Sequence, residues 1–503
     1  MNRESDIGEF YRGQTLFITG ATGFMGKVLV EKLLRSCPDL DTMYLLLRSK
    51  KNEHILERAD KLLTDPVFGK IEKSQLAKVV PIPGDISQPG LGLSPEYINL
   101  IDITGGFWLQ SRKLLAERVT TVFHSAATVR FADPMAVTLR TNLRGTAEMV
   151  RLCKEMNHLR AFVYVSTAYT HCVRSEIDET TYEMPITPEF ALESLEKMTE
   201  EQLEEIAPKM MGEWPNNYAF SKALAETLVA RGINEVPVVI FRPSIVISCS
   251  QEPLPGWNDN LNGPSGIVVG SSMGIIRVTN CDVRMRSDFV PADLAINAII
   301  SSAWDAAQKP PKPATILNFT SGNRNPLTWH EYQQTLTKVG EKNPPIMALW
   351  YHSIMVIRNP VLYQFYAFLV HFLPALLIDT IAFLAGKKRR MVRLNKRIES
   401  QSKLLAFFCT RQWNFDDTNV QKLIARMSSH DRELFPCDLA KLDWKTYLEV
   451  YYMGVRRYLI KDDDSTVPAA LKRYQRLYYL HRGVQCALLV LGLGLVSNLT
   501  YLL

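Results

Sequence analysis

The eight cysteines of this 503-residue chain include no CxxC pair and no close His/Cys spacing. That argues against a structural zinc site and against a disulfide framework. Most of them, such as Cys37, Cys153, Cys172 and Cys249, sit in apolar stretches and read as buried small hydrophobes of a reducing compartment. Charge of one sign is also scarce. A net charge of +6 falls well short of a nucleic-acid footprint, so no nucleic-acid partner is expected. It is compatible with an anionic ligand, a membrane surface or an ordinary slightly basic exterior. There is no internal repeat and no low-complexity linker. The first residues, MNRESDIGEFYRG, lack the apolar core of a signal peptide, so the bulk of the chain is expected in the cytosol.

What is present is a 47% hydrophobic, 22% charged chain, long enough for two or three domains. Its first half alternates short β-rich apolar runs with helical patterns, which predicts an α/β fold, a Rossmann-type doubly wound parallel sheet covered on both faces. The runs are Thr15–Thr19, Met43–Leu47, Val79–Ile82, Val119–His124, Ala161–Val165 and Val236–Phe241. From about Asn343 the character changes. The expected division is a nucleotide-binding catalytic domain over 1–342, a helical membrane-associated domain over 343–482 and a transmembrane tail anchor over 483–503.

Two segments bear on a membrane. Pro360–Gly386 is long and apolar but interrupted by His371, Pro374 and Asp379, and the basic run Lys387–Arg390 follows it. It reads as a helical hairpin lying against or dipping into a bilayer, with a buried helix pair or a true span as alternatives. Gly483–Leu503 has no charged side chain and suffices to span about 30 Å of hydrocarbon. Arg473, Arg476 and Arg482 precede it, which predicts a tail anchor with its positive flank in the cytosol.

Strand 1 runs into Gly20-Ala21-Thr22-Gly23-Phe24-Met25-Gly26, and a helical pattern over Lys27–Arg35 follows. A glycine turn between strand and helix brings backbone close to a pyrophosphate and points helix N–H groups at its charge. The spacing is GxxGxxG, the version used by extended short-chain dehydrogenases. After strand 2 stands Arg48, with Lys50 and Lys51 close behind and no acid at the tip, which favours the 2′-phosphate of NADPH over the free ribose hydroxyl of NADH. Asp85 and Ile86 after strand 3 are placed near the adenine, and Ala126 after strand 4 lies where backbone passes the cofactor. A solvated charge cluster and plain loop chemistry are the competing readings of these positions.

Tyr218 and Lys222 form a YxxxK pair, which on a helix shares one face. An adjacent ammonium is expected to lower the phenol pKa, so that Tyr passes a proton to a carbonyl oxygen as hydride arrives. A hydroxyl at the tip of strand 5 would bind the same oxygen, and register with the pattern of extended short-chain dehydrogenases, which this stretch resembles, favours Thr167 over Ser166. Asn142 orders the proton relay or only its own helix. The acid-rich stretch Arg174–Glu213 reads as an added helical flap.

GATGFMGKVLVEKLLR, NNYAFSKALAE, FRPSIV, EPLPGWNDNLNGP, NFTSGNRNPLTW and FLPALLIDTIAFLAGKK, in this order across nearly the whole chain, resemble alcohol-forming fatty acyl-CoA reductases of the animal type. The resemblance implies a four-electron reduction of a long-chain acyl-CoA through a bound aldehyde to the alcohol. Gly20, Gly23 and Gly26 would hold the pyrophosphate of NADPH, Tyr218 and Lys222 would form the reducing centre, and Thr167 would orient the carbonyl. It also implies a membrane lipid surface in the endoplasmic reticulum or peroxisome. The competing readings are a membrane-bound dehydrogenase acting on a sterol, a two-electron thioester reductase and a non-catalytic NADPH-binding scaffold. Chain-length preference and oligomeric state stay open.

Overall fold

The computed structural model describes residues 5–48, 54–93, 97–99, 108–233, 235–311 and 313–502. The chain forms two compact units that interleave along the sequence. The first comprises Met1–Pro255, Ser287–Leu327 and Gln412–Leu442; the second comprises Gly256–Arg286, Thr328–Arg411 and Asp443–Leu503.

The first unit is built on a seven-stranded parallel sheet. Its strands are β1 (Thr15–Thr19), β2 (Thr42–Leu47), β3 (Val79–Pro83), β4 (Thr121–His124), β5 (Ala161–Val165), β6 (Val238–Pro243) and β7 (Thr315–Phe319), in the order β7-β6-β5-β4-β1-β2-β3. Strands buried on both faces cannot alternate polar and apolar residues, which is why they read as continuous apolar runs. Every residue of β1 and β5 is buried. Helices α1 (Phe24–Ser36), α2 (Gly145–Glu155), α3 (Asn217–Gly232) and α4 (Ala292–Ala307) cover the sheet. Phe17, Phe162 and Ile240 join Leu152 of α2 and Phe220 and Leu224 of α3 in one buried cluster, while α4 packs on α1. Burying each such side chain contributes about 1.5–3 kcal/mol. The strand order reverses between β1 and β4, so their carboxyl ends open the crevice where doubly wound sheets bind ligands. The acid-rich stretch holds two helices, Pro188–Lys197 and Glu200–Met211.

The second unit is mainly helical. It contains α5 (Trp329–Lys342), α6 (Pro360–Ala367), α7 (Leu373–Leu384), α8 (Met391–Cys409), α9 (Trp444–Gly454) and α10 (Val467–Leu502), with a parallel pair of short strands, Val278–Asn280 and Met355–Ile357. A capping box starts α5: Glu331 N–H donates to Thr328 Oγ1 (3.2 Å) and Thr328 N–H to Glu331 Oε2 (2.8 Å). A Cβ on Gly454 would lie 1.8 Å from the carbonyl oxygen of Gly256, so the Pro-Gly-Trp segment serves a close backbone crossing with α9. Trp257 beside it is buried, and Asn258 donates to Ser265 Oγ at 2.9 Å.

The apolar run at 360–384 does not fold back on itself at Pro374. It is one helical rod, long and apolar enough to cross a membrane, with a π-turn at Phe368–Phe372. The wider turn lies just before Pro374, where the missing N–H interrupts the helical hydrogen bonding of the rod. The reversal comes later, at 385–390, before α8. The tail segment continues α10 without a break; its side chains from 491 onward lie outside those described.

Candidate active site

The glycine loop is shaped for an anion. Gly20 has φ +79°, and a Cβ there would come within 2.7 Å of Ser125 Oγ and 2.8 Å of Ala126 N. A Cβ on Gly26 would come within 2.1 Å of the Gly20 carbonyl oxygen. Gly23 caps α1 without a side chain, and no acid stands in the first turn of the helix. Thr22 lies exposed at the loop tip, with Phe24 and Met25 half-buried behind it. An uncapped helix start, backed by a turn no side chain can fill, is what a dinucleotide pyrophosphate requires. The residues present fit the predicted cofactor.

Arg48 follows β2 directly, largely exposed, with its Nε 3.9 Å from Asp85 Oδ2. Asp85 is otherwise engaged by Ser87, whose N–H (2.9 Å) and hydroxyl (2.7 Å) both donate to Oδ1. Ile86 is buried. Ala126 N–H donates to Thr19 Oγ1 at 3.2 Å, tying the end of β4 to that of β1. Lys50 and Lys51 lie outside the described residues.

Tyr218 and Lys222 stand one turn apart on α3. Lys222 is buried, its Nζ donating to the Val165 carbonyl oxygen at 2.7 Å and lying 4.6 Å from the Tyr164 ring centroid. Burial lowers its pKa to about 7, against the charge of Glu226, which favours the ammonium. Tyr218 is partly exposed, with the Thr167 hydroxyl close to its phenol. Burial raises its pKa to about 12, and what opposes that rise is the Thr167 hydroxyl. The expected net lowering of the phenol is therefore absent, because its desolvation outweighs the opposing Thr167 hydroxyl. Of the two hydroxyls at the tip of β5, Thr167 meets Tyr218, whereas Ser166 Oγ is buried without a hydrogen-bond partner among the described residues. Asn142 is used locally: its amide donates to Thr128 O (3.1 Å) and Ser221 Oγ (3.0 Å) and accepts from Thr128 N–H (2.9 Å).

Four groups around the pair, Glu226, Arg242, His171 and His124, were not anticipated. Glu226 is the next residue of the same helical stripe, four beyond Lys222, and that spacing was the available signal. It is buried and receives Arg242 Nε at 3.0 Å and Nη2 at 2.7 Å, while His171 Nε2 lies 3.6 Å away. Burial works against its charge, but Arg242 and His171 outweigh it and hold the carboxyl at about 2. His124 is clamped between Thr19 Oγ1 (2.8 Å) and Thr146 Oγ1 (3.1 Å). Burial, then the charge of Lys222, lowers its pKa to about 3, so it stays neutral.

Two family profiles match the chain, both described as male sterility protein: an NAD-binding one over residues 18–299 and a second over 370–462. Fatty acyl-CoA reductase wat of Drosophila melanogaster is 37% identical over 95% of this chain and 90% of its own length. Human fatty acyl-CoA reductase 1 is 33% identical, with 96% and 92% covered. Among solved structures, the reductase domain of a nonribosomal peptide synthetase from Mycobacterium tuberculosis superposes with a TM-score of 0.57 at 20% identity, covering 91% of this chain and 96% of that one.

Proposed function

The chain belongs to the fatty acyl-CoA reductases, enzymes that take a nicotinamide dinucleotide, and from that premise we propose that it uses NADPH to reduce long-chain acyl-CoA to the alcohol in two successive hydride transfers. The observation that carries this reading is the convergence of Thr167, Tyr218 and Lys222 at the carboxyl end of the sheet, on the same unit as the uncapped start of α1.

The bound dinucleotide supplies hydride to the carbonyl carbon. The chain's part is to bind the carbonyl oxygen and to move protons. Tyr218 and Thr167 present hydroxyls to that oxygen and stabilise the charge it gains. With a pKa of about 12, Tyr218 is protonated at neutral pH, which suits a proton donor to an oxyanion. In the first reduction the thioester oxygen becomes an oxyanion, the C–S bond breaks as the carbonyl re-forms, and CoA leaves as the thiolate, which takes a proton from water. The aldehyde then occupies the same hydroxyls. In the second reduction Tyr218 gives its proton to the new alkoxide and is reprotonated through Lys222.

Arg48 supports the choice of NADPH, since an exposed guanidinium at the end of β2 matches a 2′-phosphate. Gly483–Leu503 acts as a membrane anchor in the endoplasmic reticulum or peroxisome, with the catalytic unit on the cytosolic side. A membrane suits the substrate, because each buried CH₂ of an acyl chain favours transfer from water by about 0.8 kcal/mol. The test is stoichiometry: NADPH consumed against CoA thiol released should give a ratio of two, and a ratio of one would leave an aldehyde product and discard the second transfer.

A further inference from the structure

The 360–384 rod is inverted relative to an ordinary surface helix. Its polar interruptions turn inward. His371 Nε2 accepts from the Arg277 N–H at 2.8 Å. Asp379 takes the N–H groups of Arg390 and Met391 on Oδ1 and that of Val392 on Oδ2, each at 2.9 Å, and so caps α8. The opposite side is apolar and exposed for the length of the rod, roughly 37 Å at 1.5 Å per residue. Leu362, Phe365, Leu369, Ile381 and Leu384 lie on it, and Leu377 is 62% exposed.

At the turn into α8 the chemistry changes abruptly. Residues 387–397 carry seven cations and no acid, and among the described residues none of those cations forms a salt bridge. Lys388, Arg389, Arg393 and Lys396 line an open groove of about 900 Å³ together with Leu376, Phe383 and the capping Asp379, and the Arg389 guanidinium lies 5.0 Å from the Phe383 ring. An apolar strip ending in a cationic groove is complementary to one surface, an anionic lipid leaflet, with hydrocarbon for the strip and headgroup phosphate for the groove.

Packing decides between crossing and lying flat. Along its inner side α6 rests on the short strands Val278–Asn280 and Met355–Ile357, and α7 rests on α8. A span would draw Arg393, Lys396, Glu399 and Lys403 of α8 into hydrocarbon beside it, where charged side chains are excluded.

We propose that the 360–384 rod lies in the headgroup plane of an anionic leaflet, its exposed side among the acyl chains, and that the groove rimmed by Lys388, Arg389, Arg393 and Lys396 binds lipid headgroup phosphates. This rests on the reading that the chain works at a membrane. The test uses the full chain inserted through its tail into vesicles of phosphatidylcholine, with or without phosphatidylserine. An environment-sensitive fluorophore is placed at Leu377→Cys in a Cys486→Ser background, the other seven cysteines being buried. With phosphatidylserine present the emission should shift to the blue and quenching from the aqueous side should be lost. Neutralising the four rim cations to Gln should restore both. A label that stays wet in both lipids overturns the inference, as does burial that ignores lipid charge or that tracks protein concentration, which would indicate a second copy of the chain. Failure of the full chain to stay with vesicles would reject the membrane reading itself.

Discussion

Helix α3 and the 360–384 rod both keep a polar stripe on their inner side, with opposite consequences. On α3 the stripe is Tyr218, Lys222 and Glu226, whose partners are side chains and one strand carbonyl, and whose proton affinities are displaced in different directions. On the rod the stripe is His371 and Asp379, whose partners are backbone N–H groups that need an acceptor anyway. The first arrangement holds protons poised to move. The second only satisfies donors, and what remains exposed is hydrocarbon. On α3 the stripe groups titratable side chains one turn apart, whereas on the rod the polar residues stand singly against backbone donors.

Substitutions can break or sharpen that contrast. The largest effect is expected at Tyr218→Phe, which should lower kcat by about 10²–10⁴-fold while nucleotide affinity, measured by fluorescence titration, stays nearly unchanged. Glu226→Gln comes next. It strands Arg242 in the interior and should cost about 3 kcal/mol in denaturant unfolding. The carboxylate's contribution is fully present above its ordinary value near 4.5 and disappears as pH falls through about 2, so the penalty should shrink in strong acid. The same change removes the anion that favours the Lys222 ammonium. Because the ammonium is lost as pH rises through about 7, the falling limb of the kcat–pH profile should move to lower pH by about one unit, with Glu226→Asp restoring part of it.

Arg48→Ala should raise KM for NADPH about tenfold and leave NADH turnover nearly unchanged, a loss in keeping with one charge-assisted hydrogen bond. Equal effects on both nucleotides would remove Arg48 from cofactor choice. The smallest effect on catalysis is expected at Asp379→Ala. Uncapping α8 should speed tryptic cleavage at 387–390 while kcat holds. If that variant loses activity as Tyr218→Phe does, the two inner stripes are not as different as their partners suggest.

Six of the seven sheet strands were legible as short apolar runs, and the glycine loop as punctuation between β1 and α1. The seventh, β7, was not, because its run is interrupted by Asn318. That amide is buried and donates to the carbonyls of Ile177 (3.1 Å) and Asp416 (2.8 Å), partners far off in the sequence. Long-range pairing hid the Glu226–Arg242 clamp in the same way, since nothing local places β6 beside α3. The interleaving of the two units was equally hidden, because it depends on contacts between segments far apart in the chain. The shift at Tyr218 went opposite to expectation because YxxxK spacing reports proximity, not how deeply the fold desolvates the phenol. Local signals gave the elements and the candidate reacting residues. The electrostatic setting came only with the tertiary partners.

The most direct test is product analysis by gas chromatography, using membranes that carry the protein supplied with a saturated long-chain acyl-CoA and either NADPH or NADH. The account predicts fatty alcohol from NADPH, with little aldehyde and little product from NADH. Aldehyde as the sole product, or equal turnover with both nucleotides, would contradict it.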